Sequence, residues 1–239
     1  MKDLEYILYD NDIPIVPTHR TERVDENKKL TVIKRPSVSK SYTVAKRLID
    51  IIGSLVAIII LLIPMLVIAL MIFLQDGHSP IFKQTRVTKN GRYFTMYKFR
   101  TMHVDAEKHL RELQHLSETD GPAFKIKNDP RVTKVGKWLR RTSMDELPQF
   151  FNVLSGSMSL VGPRPPLPRE VEKYTPYQMH RLDVKGGITC YWQCSGRSNI
   201  LFDEWVALDL KYIRERSMKT DIKIMLRTIV AVLKKDGAA

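Results

Sequence analysis

Two adjacent carboxylates, Asp145 and Glu146, lie in a stretch of the chain that is otherwise basic. Arg140 precedes them, and Arg164 follows between two prolines. Aspartate is ionised at neutral pH and needs no activating base to act as a nucleophile, and a second carboxylate suits Mg²⁺. The flanking prolines restrict the backbone of Arg164, so its guanidinium is presented in one direction, which suits bidentate phosphate binding. The pattern indicates chemistry on a phosphate group.

The acidic pair also fits a helix start that has no chemical role. Four apolar residues at helical spacing predict one apolar helix face: Leu147, Phe150, Phe151 and Leu154. Pro148 must then lie in the first turn, so the helix is expected to begin at 143–145. Ser143 and Glu146 match a capping box, and acids near a helix N-terminus are favoured by the macrodipole. Taken alone, the acidic pair leaves both interpretations open.

A β-hairpin is predicted before this region. Strand-like runs at 81–87 and 93–100 flank Asn90-Gly91, and Asn-Gly is a strong hairpin signal. The period of two places Lys98 and Arg100 on one face of the second strand. Two cations on one face fit a solvated basic edge that discourages aggregation, and they also fit phosphate binding.

The elements that position these residues include a membrane segment at 51–74. It has 24 residues without a charge, enough to cross a bilayer as a helix, and it begins too far into the chain for a cleaved signal peptide. Basic residues lie on both sides, Lys46 and Arg47 before it and six more between 83 and 100. Because Lys and Arg tend to stay cytoplasmic and Pro64 permits a bend, a re-entrant helix competes with a kinked spanning helix.

Composition limits the classes of protein that remain. The 239 residues are 44% hydrophobic and 27% charged, which excludes collagenous and disordered chains. The net charge of +13 calls for an anionic partner such as lipid headgroups, nucleic acid or a phosphorylated substrate. Two cysteines, Cys190 and Cys194, are too few for a zinc site. A non-catalytic membrane scaffold and a membrane-tethered nucleic-acid binder therefore stand as alternatives to an enzyme.

The chain resembles the bacterial sugar transferase family, the polyprenyl-phosphate sugar-1-phosphate transferases that begin capsule, exopolysaccharide and O-antigen assembly. The resemblance runs from about Lys46 to Ala239. Six segments carry it: KRLID (46–50), FKQTR (82–86), YKFRTM (97–102), DPRVTKVGKWLRRTSMDELPQFFNVLSG (129–156), MSLVGPRP (158–165) and ITCYWQCSGRS (188–198).

The resemblance implies a fold and a division of the chain. We expect an α+β, mostly helical fold, with a small β-hairpin and membrane-surface amphipathic helices around a cytoplasmic catalytic core. Residues 1–43 are expected to form a loosely ordered cytoplasmic lead. Residues 44–75 are expected to form a re-entrant membrane helix bent near Pro64, and residues 76–239 a cytoplasmic sugar-phosphate transferase domain.

The resemblance also implies a two-stage reaction at the cytoplasmic face of the cell membrane. Asp145 would attack the β-phosphate of a nucleotide sugar, release the nucleoside monophosphate and carry the sugar phosphate until the lipid phosphate displaces it. Glu146 would bind Mg²⁺. Four cations would stabilise phosphate charge: Lys98, Arg100, Arg140 and Arg164.

Further roles carried over from the family concern the two substrates. Lys46 and Arg47 would hold the phosphate of the lipid carrier, and Gln193 and Arg197 are candidates for nucleotide contact. The expected partners are polyprenyl phosphate, a nucleotide sugar and membrane lipids, and no nucleic acid is expected. Further candidate partners are a second copy of the chain, in a homo-oligomer, and downstream glycosyltransferases. Family habit favours UDP-glucose or UDP-galactose. The chain departs from the family pattern at Gly186, Cys190 and Cys194, among other positions.

Overall fold

The computed structural model describes residues 38–109, 113, 126, 129–194 and 201–234, together with residues 7–8 and 31–32. The helices are α1 (Lys40–Asp76), α2 (Lys134–Thr142), α3 (Gln149–Ser155), α4 (Pro168–Val171), α5 (Pro176–Met179), α6 (Phe202–Glu215) and α7 (Met218–Lys234). The strands are β1 (Ile7–Leu8), β2 (Thr31–Val32), β3 (Ile81–Val87), β4 (Tyr93–Phe99), β5 (Ser159–Val161) and β6 (Gly187–Thr189). The expected mostly helical fold with a small hairpin and one long apolar N-terminal helix is confirmed.

The helix α1 has a defined cap at each end. The hydroxyl of Ser39 accepts the N–H of Tyr42 at 3.1 Å. At the other end Gly77 adopts φ 72°, and its N–H donates to the carbonyl of Phe73. The helix has 37 residues, about 55 Å at 1.5 Å per residue. It begins at Lys40 and ends at Asp76, whereas the sequence predicts 44–75.

Much of the apolar surface of α1 is exposed. Ile60, Ile63 and Leu74 are 68%, 74% and 73% exposed, and the helix is long and apolar enough to cross a membrane. A continuous apolar surface of this kind indicates a lipid environment. The helical backbone continues through Pro64, and the re-entrant course stays a prediction.

Polar side chains fasten the N-terminal part of α1 to the rest of the protein. Asp50 is 5% exposed and accepts bonds from the hydroxyl of Ser159 at 3.0 Å and the N–H of Leu160 at 2.9 Å. Arg47 donates to two carbonyl groups in the last turn of α3, at 2.7 and 2.8 Å. A cation at that position also complements the negative end of the α3 dipole.

The C-terminal part of α1 packs on the same folded domain. Met65, Ile68 and Ile72 are buried against Phe99 at the end of β4 and Leu139 in α2. Both halves of α1 therefore contact the domain that follows the helix in the sequence.

The predicted hairpin is confirmed, with β3 and β4 antiparallel. The turn places Asn90 at φ 59° and Gly91 at φ 72°, a conformation that Asn-Gly adopts readily. The side chain of Asn152 in α3 bonds the free edge of β4, accepting the N–H of Tyr97 at 2.9 Å and donating to the carbonyl of Thr95 at 2.7 Å. This contact fixes the hairpin to the helix that follows the acidic pair.

A second core lies between α6, α7 and the parallel pair of β5 and β6. Tyr212 and Ile224 are buried in it at 1% and 0% exposure. Asp221 in α7 is nearly buried and accepts bonds from Tyr212 and from Lys46 of α1, each at 2.9 Å. The opposite face of α7 exposes Ile222, among other apolar residues. The C-terminal helices therefore brace α1 as well as each other.

Candidate active site

A cleft of about 1390 Å³ lies between the hairpin, the turn before α3 and the loop after β5. The two residues predicted to be catalytic and the four cations predicted to stabilise the transferred phosphate all line it: Lys98, Arg100, Arg140, Asp145, Glu146 and Arg164. Leu61 and Pro64 also line the cleft, so the apolar helix α1 forms part of its wall. The fold thus brings residues from separate parts of the chain to one place, next to the proposed membrane segment.

The acidic pair lies on a short 3₁₀ turn, Met144–Glu146, between α2 and α3. The predicted start of an α-helix at 143–145 is wrong. Ser143 adopts the left-handed conformation, φ 57°, which ends α2 and redirects the chain, and its side chain does not cap this turn. The α-helix begins only after Pro148, which has no N–H to donate. The acids therefore project from a tight connection between two helices.

Burial raises the pKa of Asp145 to about 6, above its ordinary 3.8. The positive charge of Lys98 opposes this rise in pKa, the negative charge of Glu146 adds to it, and the charge of Arg140 lowers the pKa again. At neutral pH the Asp145 carboxylate is still mostly ionised, and it is more basic than an exposed aspartate. These properties suit a nucleophile.

Lys98 forms an ion pair with the other acid. Its Nζ donates to Oε1 of Glu146 at 2.8 Å, and the two side chains are 20% and 38% exposed. Both residues of the pair line the cleft. The positive charge of Lys98 also acts on Asp145, and its role in binding phosphate stays a prediction.

Arg140 approaches the acids from the last turn of α2. Its Nε donates to the hydroxyl of Thr101 at 3.0 Å. Burial lowers the pKa of Arg140, and the negative charges of Asp145 and then Asp129 raise it. Because a guanidinium keeps its proton well above neutral pH, Arg140 supplies a fixed positive charge near Asp145.

The loop that carries Arg164 is held from α6. The guanidinium of Arg164 lies 5.5 Å from the ring centre of Trp205. The main-chain carbonyl of Arg164 accepts a hydrogen bond from the guanidinium of Arg181 at 3.4 Å. Arg181 is itself buried in an ion pair with Asp209, at 2.9 Å. These tertiary contacts hold the Arg164 loop in place, in addition to the restriction that the flanking prolines put on its backbone.

Arg86 is a buried cation of the cleft for which the sequence reasoning proposed no role. It is 3% exposed and donates to the carbonyl of Pro165 at 3.0 Å and to Oε1 of Gln84. Burial, together with the positive charge of Arg164, lowers its pKa to about 9. It joins β3 to the Arg164 loop. The segment FKQTR, part of the family resemblance, is the sequence signal that points to it.

Arg100 has a protein partner in this structure. Its two terminal nitrogens donate to the carboxylate of Asp76 at 2.5 and 2.6 Å, and its Nε donates to the carbonyl of Ser79 at 2.9 Å. These bonds tie the end of α1 to the hairpin. The role of Arg100 in binding phosphate stays a prediction.

The two cations predicted to hold the carrier phosphate also bind protein groups. Lys46 donates to the carbonyl of Val161 at 3.0 Å and pairs with Asp221. Arg47 caps α3, as described above. In this structure both residues fasten α1 to the domain, and contact with a lipid headgroup stays a prediction.

Of the two nucleotide-binding candidates, Gln193 lines the cleft and donates to the carbonyl of Ile188 at 3.4 Å. Arg197 lies outside the described residues.

Two of the departures from the family pattern have a packing explanation. A Cβ at Gly186 would lie 2.4 Å from Cγ of Pro165, so the missing side chain lets the chain pass close under the Arg164 loop. Cys190 is fully buried, and burial raises the pKa of its thiol. Cys190 is therefore an unreactive core residue rather than a ligand.

The carboxylates of the cleft decide whether it could hold Mg²⁺. Among the described residues, no cluster of three or more His, Cys, Asp or Glu side chains is placed to hold a metal ion. Mg²⁺ is commonly bound by one or two carboxylates together with substrate phosphates and water. Glu146, exposed at the cleft with Asp145 beside it, fits that arrangement. The residues present are therefore suited to a metal that a diphosphate substrate helps to hold.

Comparisons with known proteins identify the family of this chain. The pattern described as bacterial sugar transferase matches residues 41–235. Galactosyl transferase CpsE of Streptococcus agalactiae is 50% identical over 199 residues, which cover 83% of this chain and 44% of that protein. The UDP-galactose-lipid carrier transferase of Erwinia amylovora is 43% identical over 200 residues, 81% of this chain and 41% of that protein.

A shorter relative matches over most of its length. The exopolysaccharide production protein ExoY of Rhizobium meliloti is 36% identical over 198 residues, which cover 81% of this chain and 88% of that protein. The chain spans less than half the length of the first two relatives and nearly the whole of the third. With a family match across most of its residues, the chain belongs to the bacterial sugar transferase family.

Proposed function

We propose that this chain is a phosphoglycosyl transferase that moves a sugar 1-phosphate from UDP-galactose or UDP-glucose to undecaprenyl phosphate, as the first membrane step of capsule or exopolysaccharide synthesis. One observation carries the proposal. Asp145, with a pKa raised by burial, lies in a cationic cleft whose wall includes Leu61 and Pro64 of the exposed apolar helix. A water-soluble nucleotide sugar and a lipid-borne phosphate can meet in such a cleft.

In the first step a carboxylate oxygen of Asp145 attacks the phosphorus atom that bears the sugar. The bond from this phosphorus to the bridging oxygen breaks, and UMP leaves with the electron pair. The sugar phosphate is then esterified to Asp145. Lys98, Arg140 and Arg164 stabilise the charge that develops on the phosphate oxygens.

In the second step a phosphate oxygen of undecaprenyl phosphate attacks the same phosphorus. The bond to Asp145 breaks, the carboxylate is restored, and the product is undecaprenyl diphosphate sugar. Glu146 would hold Mg²⁺ together with the diphosphate of the substrate, and the metal would supply positive charge that neutralises the phosphate oxygens. Because the Asp145 carboxylate and the phosphate of the lipid are both ionised at neutral pH, neither step requires a separate base.

The proposed topology is re-entrant, with the catalytic domain at the cytoplasmic face of the membrane. Asp50 near one end of α1 and Asp76 at the other both bind groups of the same domain. A helix that crossed the bilayer would place one of these acids on the opposite side from its partner. The exposed apolar face of α7, beside basic residues such as Lys223, would lie in the membrane surface.

A non-catalytic scaffold and a nucleic-acid binder would use the same apolar helix and basic surface. A scaffold gives no role to an acid with a raised pKa in a cationic cleft. A nucleic-acid binder would be weakened by that acid, because its negative charge repels a polyanion. A nucleic-acid binder would also lose affinity steeply as salt rises from about 50 to 200 mM. The enzyme accounts for both the acids and the cations.

The deciding experiment offers the purified protein a panel of UDP-sugars with undecaprenyl phosphate and Mg²⁺. We expect UMP release that depends on the lipid, with UDP-galactose or UDP-glucose preferred. With nucleotide sugar but no lipid, we expect at most about one UMP per active site and a gain in protein mass equal to one sugar phosphate. Absence of turnover with every UDP-sugar would favour the scaffold.

A further inference from the structure

Thr101, directly after β4, is held against α2 by its main chain. It is 8% exposed, and its carbonyl accepts the N–H of Thr133 at 3.0 Å. A Cβ at Gly136 would lie 1.9 Å from the same carbonyl oxygen, so α2 crosses this backbone at a distance that only glycine permits. The position of Thr101 relative to α2 is therefore fixed without its side chain.

The side chain of Thr101 has a separate partner. Its hydroxyl accepts the Nε–H of Arg140 at 3.0 Å, and both residues line the cleft. This bond engages one of the five N–H donors of the guanidinium and sets the plane in which the other four lie. A hydroxyl at this point thus controls the orientation of a cation that acts on Asp145.

A competing acid near Arg140 is already paired. Both carboxylate oxygens of Asp129 accept bonds from Arg131, at 2.9 and 2.6 Å, and the pair is buried. The positive charge of Arg131 therefore offsets the electrostatic attraction between Asp129 and Arg140. With that attraction reduced, the bond to Thr101 becomes the contact that orients the guanidinium.

We propose that Thr101 is a positioning residue, whose hydroxyl holds the guanidinium of Arg140 toward Asp145 and the phosphate that is transferred. The inference rests on the proposed function and adds to it a residue that touches no reacting atom. Loss of a hydrogen bond to a charged group that acts in the transition state should lower kcat/KM by about 10-fold.

The test is a double-mutant cycle on UMP release from the preferred UDP-sugar. Thr101→Val removes the acceptor at nearly constant volume, and Thr101→Ser retains it. Thr101→Ala is the second variant without a hydroxyl, in case the valine protein does not fold. Each is made in the wild-type and the Arg140→Ala backgrounds, and Thr95→Val, at an exposed position on β4 outside the cleft, is the matched control.

We expect Thr101→Val or Thr101→Ala to lower kcat/KM by about 10-fold in the wild type and to have little further effect in the Arg140→Ala background, because the residue acts through Arg140. Thr101→Ser should restore most of the activity. Equal losses in both backgrounds would show a structural role independent of Arg140 and overturn the inference, as would no loss at all. A wild-type protein that releases no UMP from any UDP-sugar would overturn the proposed function as well.

Discussion

Replacing Asp145 with Asn should make the folded protein more stable at neutral pH while removing its activity. The carboxyl ionises at 3.8 when exposed and at about 6 in the fold. Below pH 3.8 it is protonated in both the folded and the unfolded state, so it has no effect on stability. Above about pH 6 it is ionised in both, and the folded state bears the full cost of a buried charge. Asparagine has the same size and no charge, so it removes that cost.

The size of the gain follows from the shift in pKa. The rise from 3.8 to about 6 is roughly 2 pH units, which at 1.36 kcal/mol per unit gives an upper limit of about 3 kcal/mol. Asp145 is only partly buried by surface area and is coupled to Lys98 and Glu146, so we expect about 1–3 kcal/mol. For a domain of this size each kcal/mol corresponds to roughly 2–4 °C in Tm, so Asp145→Asn should melt about 2–12 °C higher at pH 7.5.

The assay is thermal unfolding of detergent-solubilised wild type and Asp145→Asn at one scan rate between pH 7.5 and 4.5. The difference in Tm should shrink as the pH falls through about 6. Asp203→Asn, which removes an exposed acid in the first turn of α6, is the control and should show no such gain. An Asp145→Asn protein that melts at or below the wild-type Tm at pH 7.5 contradicts the burial argument. One that still makes lipid-linked sugar at a comparable rate contradicts the nucleophile assignment.

Three further predictions address the charges and the topology. Arg164→Lys keeps the cation but loses the planar fork, so kcat/KM should fall roughly 10- to 100-fold with Tm unchanged; near-normal turnover would reduce Arg164 to a loop residue. Glu146→Gln should lower turnover and raise the Mg²⁺ concentration needed for half-maximal rate, and an unchanged Mg²⁺ dependence would remove Glu146 from the metal site. For the topology, a cysteine is placed at the exposed Lys40 or at the exposed Lys89, in a protein whose Cys190 and Cys194 are replaced by alanine. Both introduced cysteines should resist an impermeant thiol reagent in intact cells. Labelling of only one of them would refute the re-entrant helix.

Features with a strong local signal were predictable from the sequence. The hairpin follows from Asn90-Gly91, since both residues tolerate positive φ, and the structure has them at 59° and 72°. The long helix α1 follows from the uncharged run at 51–74, because a helix surrounded by water would not expose so much apolar surface. The grouping of the acids with Arg140 follows from their closeness in the sequence. In each case the residues that determine the feature lie within a few positions of it in the sequence.

The burial of α3 was not predictable from its apolar pattern. The sequence predicts an apolar face that includes Phe151, yet Phe151 is 42% exposed while Gln149 and Asn152 are 3% and 2% exposed. Asn152 is buried because its side chain bonds the backbone of β4, and that edge would otherwise lack partners on this side. A polar residue that binds a strand edge cannot be recognised from helical periodicity, since its partner belongs to another element.

Two cations of the cleft that share one sequence pattern differ in their partners. Alternation along the predicted strand 93–100 makes Lys98 and Arg100 equivalent, and in the structure both residues line the cleft. Their partners differ: Lys98 binds Glu146, whereas Arg100 binds Asp76 at the end of α1. In the proposed mechanism, a cation that pairs with Glu146 acts on the chemistry, whereas a cation that anchors α1 acts on the assembly. We therefore expect substitutions at Lys98 to slow phosphate transfer, and substitutions at Arg100 to alter first how α1 is held.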